Sequence, residues 1–220
     1  MNHQTTEPIK RKLSIVCAFI LACACVLGCT SRRNPIPPVL DKPVIYLYPE
    51  VETEVTIKLD FDGTFTSTYP GSAGTWKVTA FPDGTLTDEN GMCYNYLYWE
   101  GVSDAEYDFS KGFVVPGNET SKFLETALEC LGLTRREANE FIVYWLPKME
   151  DNAYNLISFQ FDAYTSHARL TVEPEPDTVI RVFMAWMPLD EAVSIEPQEL
   201  TFPERSGFTV VEWGGAMVTE

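Results

Sequence analysis

Two glutamates in this chain stand against indole rings. In Trp99-Glu100-Gly101 and in Glu212-Trp213-Gly214-Gly215 a carboxylate is flanked by a tryptophan and a glycine, at what reads as the end of a strand. An apolar neighbour can raise a carboxyl pKa by desolvation, and a flat ring can stack on a sugar. Two acids held about 5–10 Å apart are what glycoside hydrolysis needs, so Glu100 and Glu212 are the catalytic candidates of a carbohydrate-active hydrolase. The competing reading makes the tryptophans core anchors and the glutamates solvated strand-end charges.

Other chemistry has less material. Of the two histidines, His3 and His167, only His167 lies in the part expected to fold. Its neighbour Ser166 would point to the opposite face of a strand, and no Gly-x-Ser-x-Gly elbow is present. A Cys93 or Cys130 thiolate could in principle pair with His167, but Cys130 reads as buried on a helix and therefore inert. Four-residue His or Cys sets are absent, so structural zinc is excluded. Calcium needs only oxygens, and Asp83, Asp88, Glu89 and Asn90 cluster, yet hairpin geometry explains Asp83-Gly84 and Asn90-Gly91 without an ion. Phosphate cradles are missing as well. The expectation is no metal and no cofactor. Aromatics remain: on one strand from Met92 to Glu100, alternation would put Tyr94, Tyr96 and Tyr98 on one face and Cys93, Leu97 and Trp99 on the other. The tyrosines would then be either a stacking platform for a glycan or peptide ligand, or packing beneath neighbouring elements.

The elements that must position these residues change period along the chain. Val55, Ile57, Leu59 and Phe61 alternate with Thr56, Lys58 and Asp60 before Asp62-Gly63, and Trp76, Val78 and Ala80 repeat the pattern before Asp83-Gly84. This predicts an antiparallel meander. From 118 the period becomes helical: Asn118 or Thr120 can cap a helix whose stripe is Phe123, Leu124, Ala127, Leu128 and Leu131, and Gly132 ends it. Thr134 and Glu137 have capping-box spacing for a second short helix. That helix is expected to give way to a strand over 141–145, bounded by Pro147. Strands return near 155–161, 168–172, 178–187 and 207–213. The fold class expected is α+β, a mostly antiparallel, sandwich-like sheet domain with an inserted pair of short helices.

Charge and the N-terminal segment speak to location. The 220 residues carry 32 Asp plus Glu against 16 Lys plus Arg, a formal charge of −16. Three of the basic and one of the acidic residues fall in 1–28, leaving 13 against 31 beyond it. Such a surface repels a phosphate backbone, so no nucleic-acid partner is expected. Residues 1–28 read as a lipoprotein signal peptide: Lys10, Arg11 and Lys12 precede an apolar run of about 16 residues, short of the roughly 20 a spanning helix needs. The run ends in Val26-Leu27-Gly28-Cys29, which resembles a bacterial lipobox, with a small residue before the cut and a thiol to receive diacylglycerol. A second register ends at Cys23. Cys29 would fasten the chain to the outer face of the cell membrane through its acyl chains, each methylene adding about 0.8 kcal/mol of membrane affinity. Residues 29–40, polar and proline-rich, would be a tether, and 41–220 a single extracytoplasmic domain. Outside the cytosol Cys93 and Cys130 could pair, closing a loop of 36 intervening residues. The other reading keeps both as buried thiols.

Six segments, KPVIYLYPE (42–50), YNYLYWEG (94–101), YDFSKGFVVPG (107–117), LGLTRREANEFIVYWLP (131–147), IRVFMAWMPLDE (180–191) and GFTVVEWGG (207–215), together resemble uncharacterised secreted proteins and lipoproteins of gut-type Firmicutes. The resemblance spans nearly all of the folded region. It implies a common fold and an envelope location, and it implies no activity. The function expected is a lipid-anchored ligand-binding or interaction module of the cell envelope. The alternatives are the hydrolase using Glu100 and Glu212, and a structural envelope protein.

Overall fold

The computed structural model describes residues 39–202 and 204–219, and Pro37–Glu220 forms one compact unit. The lipidation site expected at Cys29 lies outside the described residues. The protein is α+β, with two antiparallel-rich sheets and few helices. Numbered along the chain, a seven-stranded sheet runs β3 (Thr64–Tyr69), β7 (Leu97–Val102), β1 (Val39–Tyr48), β12 (Thr209–Met217), β11 (Thr178–Leu189), β9 (Tyr154–Gln160) and β8 (Phe113–Pro116). A five-stranded sheet runs β10 (Ala168–Glu173), β2 (Thr53–Phe61), β4 (Thr75–Ala80), β5 (Leu86–Thr87) and β6 (Cys93–Tyr94). All pairings are antiparallel except β11 with β12. Strand β1 begins at Val39, inside the stretch expected to be tether.

The larger sheet is the middle layer, so its central strands are apolar on both faces. Alternate residues of β1 go to different cores: Val44 and Tyr46 to the helix side, Ile45 and Leu47 to the side facing the smaller sheet. The helix-side core is closed by α1 (Thr120–Cys130) and α2 (Arg135–Met149). The sandwich core is closed by Val55, Ile57, Leu59, Trp76 and Val78 from β2 and β4. A single turn, α3 (Asp162–Thr165), joins β9 to β10 and brings Tyr164 into that core.

Several local expectations are corrected. The Asp62-Gly63 turn is not a hairpin: β2 and β3 lie in different sheets, and the chain crosses the sandwich there, with the Asp62 N–H donating to the His167 carbonyl at 2.7 Å. Phe61 packs at 4.9 Å from Trp99 and 5.4 Å from Phe65, sealing that edge. The strand read from Met92 to Glu100 is likewise two strands. Crossing at Asn95 and Tyr96 shifts the alternation by one, so that Tyr94, Leu97 and Trp99 all meet the sandwich core while Tyr96 and Tyr98 pack on the helix side.

Helix α2 runs through the strand expected at 141–145. Ala138, Phe141, Trp145 and Met149 recur at helical spacing and are buried, whereas Val143 is 75% exposed. The stripe's fit onto the sheet overrides the β-propensity of Ile142-Val143-Tyr144. Gly215 makes that fit close: a Cβ there would stand 2.7 Å from Trp145 and 2.6 Å from the Met184 carbonyl. Pro147 withholds one hydrogen bond from the exposed Val143, where water can replace it. The Thr134–Glu137 capping box forms as expected, and Gly132 closes α1 with φ +84°. Neither Asn118 nor Thr120 caps α1. A 3-10 turn at Gly117–Glu119 leads into it, and the Thr120 hydroxyl accepts from Asn155 Nδ2 at 3.1 Å.

Candidate functional site

A groove of about 710 Å³ lies where the edge of the larger sheet meets α1. Its floor and walls are Phe113 and Val115 from β8, Phe123 from α1, and Val193, Ile195 and Pro197 from the segment after β11. Each has a local cause. Phe113 packs on Phe123 with ring centres 5.0 Å apart, fixing the strand against the helix. The 193–197 segment is held alongside by the Gly112 N–H, which donates to the Glu196 carbonyl at 2.9 Å, and by a Lys111–Glu196 ion pair at 2.6 Å. Val193 is half exposed, an apolar side chain without cover. The charged groups, Glu119 and Lys122, stand exposed at the rim. This size and an apolar lining with few polar groups are those of ligand sites.

The strand edge itself is blunted. Backbone groups alternate in direction along a strand. Because the Gly112 N–H points outward to Glu196, the next outward N–H belongs to Val114, and Pro116 beyond it has none. An added β-strand would find only the Val114 N–H as a donor along this edge.

The glutamate pair is not assembled. Glu212 faces the sandwich core, 1% exposed, accepting from Trp99 Nε1 at 3.1 Å and pairing with Arg181 Nε at 2.6 Å. Glu100 follows Trp99 on β7 and so points to the opposite face of the same sheet, where it accepts from the Lys42 N–H at 3.3 Å. A sheet separates the two acids, and Glu212 is held by its partners without access to a substrate. The geometry corrects the two-acid reading of Glu100 and Glu212. Gly214 and Gly215, expected as flexible flanks, lie within β12, where Gly214 packs on Pro43.

The tyrosine ladder is corrected too. Tyr94 stands on the smaller sheet beside Tyr69, at 5.6 Å, while Tyr96 meets Tyr46 edge-on at 5.3 Å. Tyr98 lies among groups near α2, where burial, then Glu100, push its pKa up. Burial likewise raises Tyr46, Tyr48, Tyr107 and Tyr164. A raised phenol contributes stability that is complete below the ordinary value of 10.0 and is lost as pH climbs through the folded-state value. The melting temperature is therefore expected to fall above pH 10. In a 295 nm absorbance titration these five phenols should ionise above the ordinary tyrosine range.

His167 lies at a second cavity of about 380 Å³ with Asp62, Ser103 and Asp104, its Nδ1 3.4 Å from Asp62 Oδ2. Ser103 Oγ donates to the Asp62 carbonyl and accepts from the Ala105 N–H, and Ser166 Oγ donates to the Ala163 carbonyl, so both hydroxyls have backbone partners. Asp83 and Asp88, from the acidic stretch weighed for calcium, each cap their own turn: Asp83 accepts from the Thr85 N–H, Asp88 from the N–H groups of Asn90 and Met92. Cys93 and Cys130 are exposed free thiols, which corrects both the pairing and the buried reading. Cys130 sits six residues from Leu124, about 120° around the helix from it and at the edge of the buried stripe. Among the described residues no helix is long and apolar enough to cross a membrane.

No protein-family model, curated protein or solved structure matches this chain. Sequence reasoning missed the groove because its two walls, 113–123 and 193–197, are some 70 residues apart and carry no shared motif. It missed Arg181 for the same reason: nothing local pairs an arginine with a glutamate 31 positions away.

Proposed function

We propose that this chain is a lipid-anchored extracytoplasmic protein acting as a ligand-binding or interaction module of the bacterial cell envelope. The groove between β8, α1 and the 193–197 segment is its binding site. The observation that carries the binding reading is the groove itself: an open, mainly apolar trough between β8, α1 and the 193–197 segment, with its two charged side chains exposed. The anchor rests on the sequence, where a basic and apolar segment ends at the lipobox-like Val26-Leu27-Gly28-Cys29. A diacylglyceryl Cys29 would hold the domain at the outer face of the membrane, and its acidic surface would turn away from anionic polymers. The ligand is a glycan, protein or small molecule read by packing rather than by strand addition.

Cys29→Ala tests the anchor. The unaltered chain should partition into detergent and carry the added mass of the acyl chains, and the variant should lose both. Equal mass and equal partitioning of the two would overturn the assignment. Binding is tested with Phe123→Ala and Val193→Glu against envelope extracts and a glycan panel. Ligand retention unchanged by both substitutions would remove the site from the groove.

A further inference from the structure

We infer that the groove takes the acyl chain of a single-chain membrane lipid, which rests on the anchored, groove-binding reading above and names its ligand. The lining supplies the first reason. Phe113, Val115, Phe123, Val193, Ile195 and Pro197 make most of the lining apolar, Ser194 and Thr126 add two hydroxyls, and the charged Glu119 and Lys122 stand exposed. A hydrocarbon tail fits such a trough, with the polar head left in water beside one cation and one anion.

Peptides are disfavoured by the strand edge. The Gly112 N–H is already bonded to Glu196, and Pro116 lacks an N–H, so the carbonyls of an extended chain laid along this edge would find only the Val114 N–H as a donor. A polyanion is disfavoured by the net charge of −16.

Position supplies the second reason. Met217 pairs with Trp186, Trp186 with Ile157, and Ile157 with Phe113, so these residues form one row across the sheet. Asp41 pairs with Gly215, which places Val39, two residues earlier, at the level of that same row. The chain arriving from Cys29 thus enters the domain at the Phe113 end of the groove, four inter-strand steps or about 19 Å away across the sheet. Nine residues separate Cys29 from Val39, and the ten steps between them span at most about 35 Å when extended. A lipidated Cys29 therefore keeps this end of the domain within reach of the bilayer surface, where single-chain lipids are found.

The test uses residues 37–220, which contain both cores whole, checked for a single cooperative melt, and saturated fatty acids of 8 to 14 carbons below their micelle concentrations. Isothermal titration calorimetry should show affinity rising about two-fold for each added methylene, short of the roughly four-fold of complete burial because the trough is open on one side. Val193→Glu should weaken binding at least ten-fold, and Val143→Glu, on the exposed face of α2, should leave it unchanged. Should Val193→Glu fail to melt cooperatively, Val193→Ser serves in its place with a smaller loss. No binding, affinity independent of tail length, or indifference to substitution at Val193 would overturn the inference. Fatty acid bound by residues 37–220 but excluded by the lipidated chain would assign the groove to the protein's own Cys29 lipid and overturn it as stated. Because this titration needs no anchor, the outcome of the Cys29→Ala fractionation is independent of it.

Discussion

Arg181→Met is expected to destabilise the domain by about 3–5 kcal/mol, because it strands the Glu212 carboxylate between two sheets. The Arg181 side chain is one tenth exposed and that of Glu212 1%, so water cannot replace the lost partner. The pair is tightly seated: Trp99 Nε1 holds the other carboxylate oxygen, and the guanidinium lies 4.8 Å over the ring of Tyr164, itself stacked on Phe183 at 4.2 Å. Burial alone would lower the Arg181 pKa, but the adjacent Glu212 carboxylate reverses this and holds the guanidinium charged. Urea unfolding at pH 7 is the measurement, with a lower midpoint and an unchanged slope as the expected outcome. Arg181→Met combined with Glu212→Gln keeps an acceptor for Trp99 and removes both charges, so it should recover most of the loss. A double variant as unstable as the single one would mean that the cost comes from packing around the arginine stem.

Arg205→Ala is the second large effect, at about 3 kcal/mol, toward the low end for a buried pair because the Arg205 side chain is one quarter exposed and admits some water. Its partner Glu137 is fully buried, although it caps a helix. One oxygen of Glu137 accepts from the Thr134 N–H at 2.7 Å, while the carboxylate also receives both terminal nitrogens of Arg205. Arg205 Nε and Nη2 further donate to the Gly132 carbonyl at 3.0 and 2.8 Å. One planar fork thus ties the segment before β12 to the turn between α1 and α2. Lysine has no such fork, so Arg205→Lys should rescue stability only in part. Hydrogen exchange should accelerate at 131–137 in the alanine variant, and protection equal to that of the unaltered protein there would contradict the clamp.

Both pairs bear on function by separating architecture from site. Glu212 looked catalytic because an indole and two glycines surround it in sequence. In the folded chain the indole that touches it is Trp99, from another strand, while its own neighbour Trp213 lies in the helix-side core. The glycines serve packing, where Trp145 and Pro43 lie close to the β12 backbone. Open to solvent among the described residues are the groove at β8 and the cavity beside His167.

Local physics made much of the fold legible. Period-two alternation marked Val55, Ile57 and Leu59 and then Trp76, Val78 and Ala80 as core, and the turns at Gly84 and Gly91 adopt the positive φ that their Asp-Gly and Asn-Gly signals require. The capping box at Thr134–Glu137 and the helix stop at Gly132 were readable because each is an interaction between neighbours in the chain. The α+β class follows from these periods alone.

Tertiary structure decided which sheet each strand joins. At Asp62-Gly63 and at Asn95 a turn signal and an unbroken alternation are equally compatible with a hairpin, a continuous strand or a crossing to the other sheet. Only partners distant in sequence, such as Val102 for Thr64 and Ile45 for Leu97, select among them. The helix through 141–145 was settled likewise, by Trp145 finding Gly215 across 70 residues. By itself the sequence determined most of the periodicity, the Thr134–Glu137 cap and the Gly132 stop, the acidic charge and the lipobox-like Cys29, all of which depend on nearby residues or on composition. The buried ion pairs, the separation of Glu100 from Glu212 and the groove depend on which distant surfaces meet, and that free energy is realised only when the whole chain has packed.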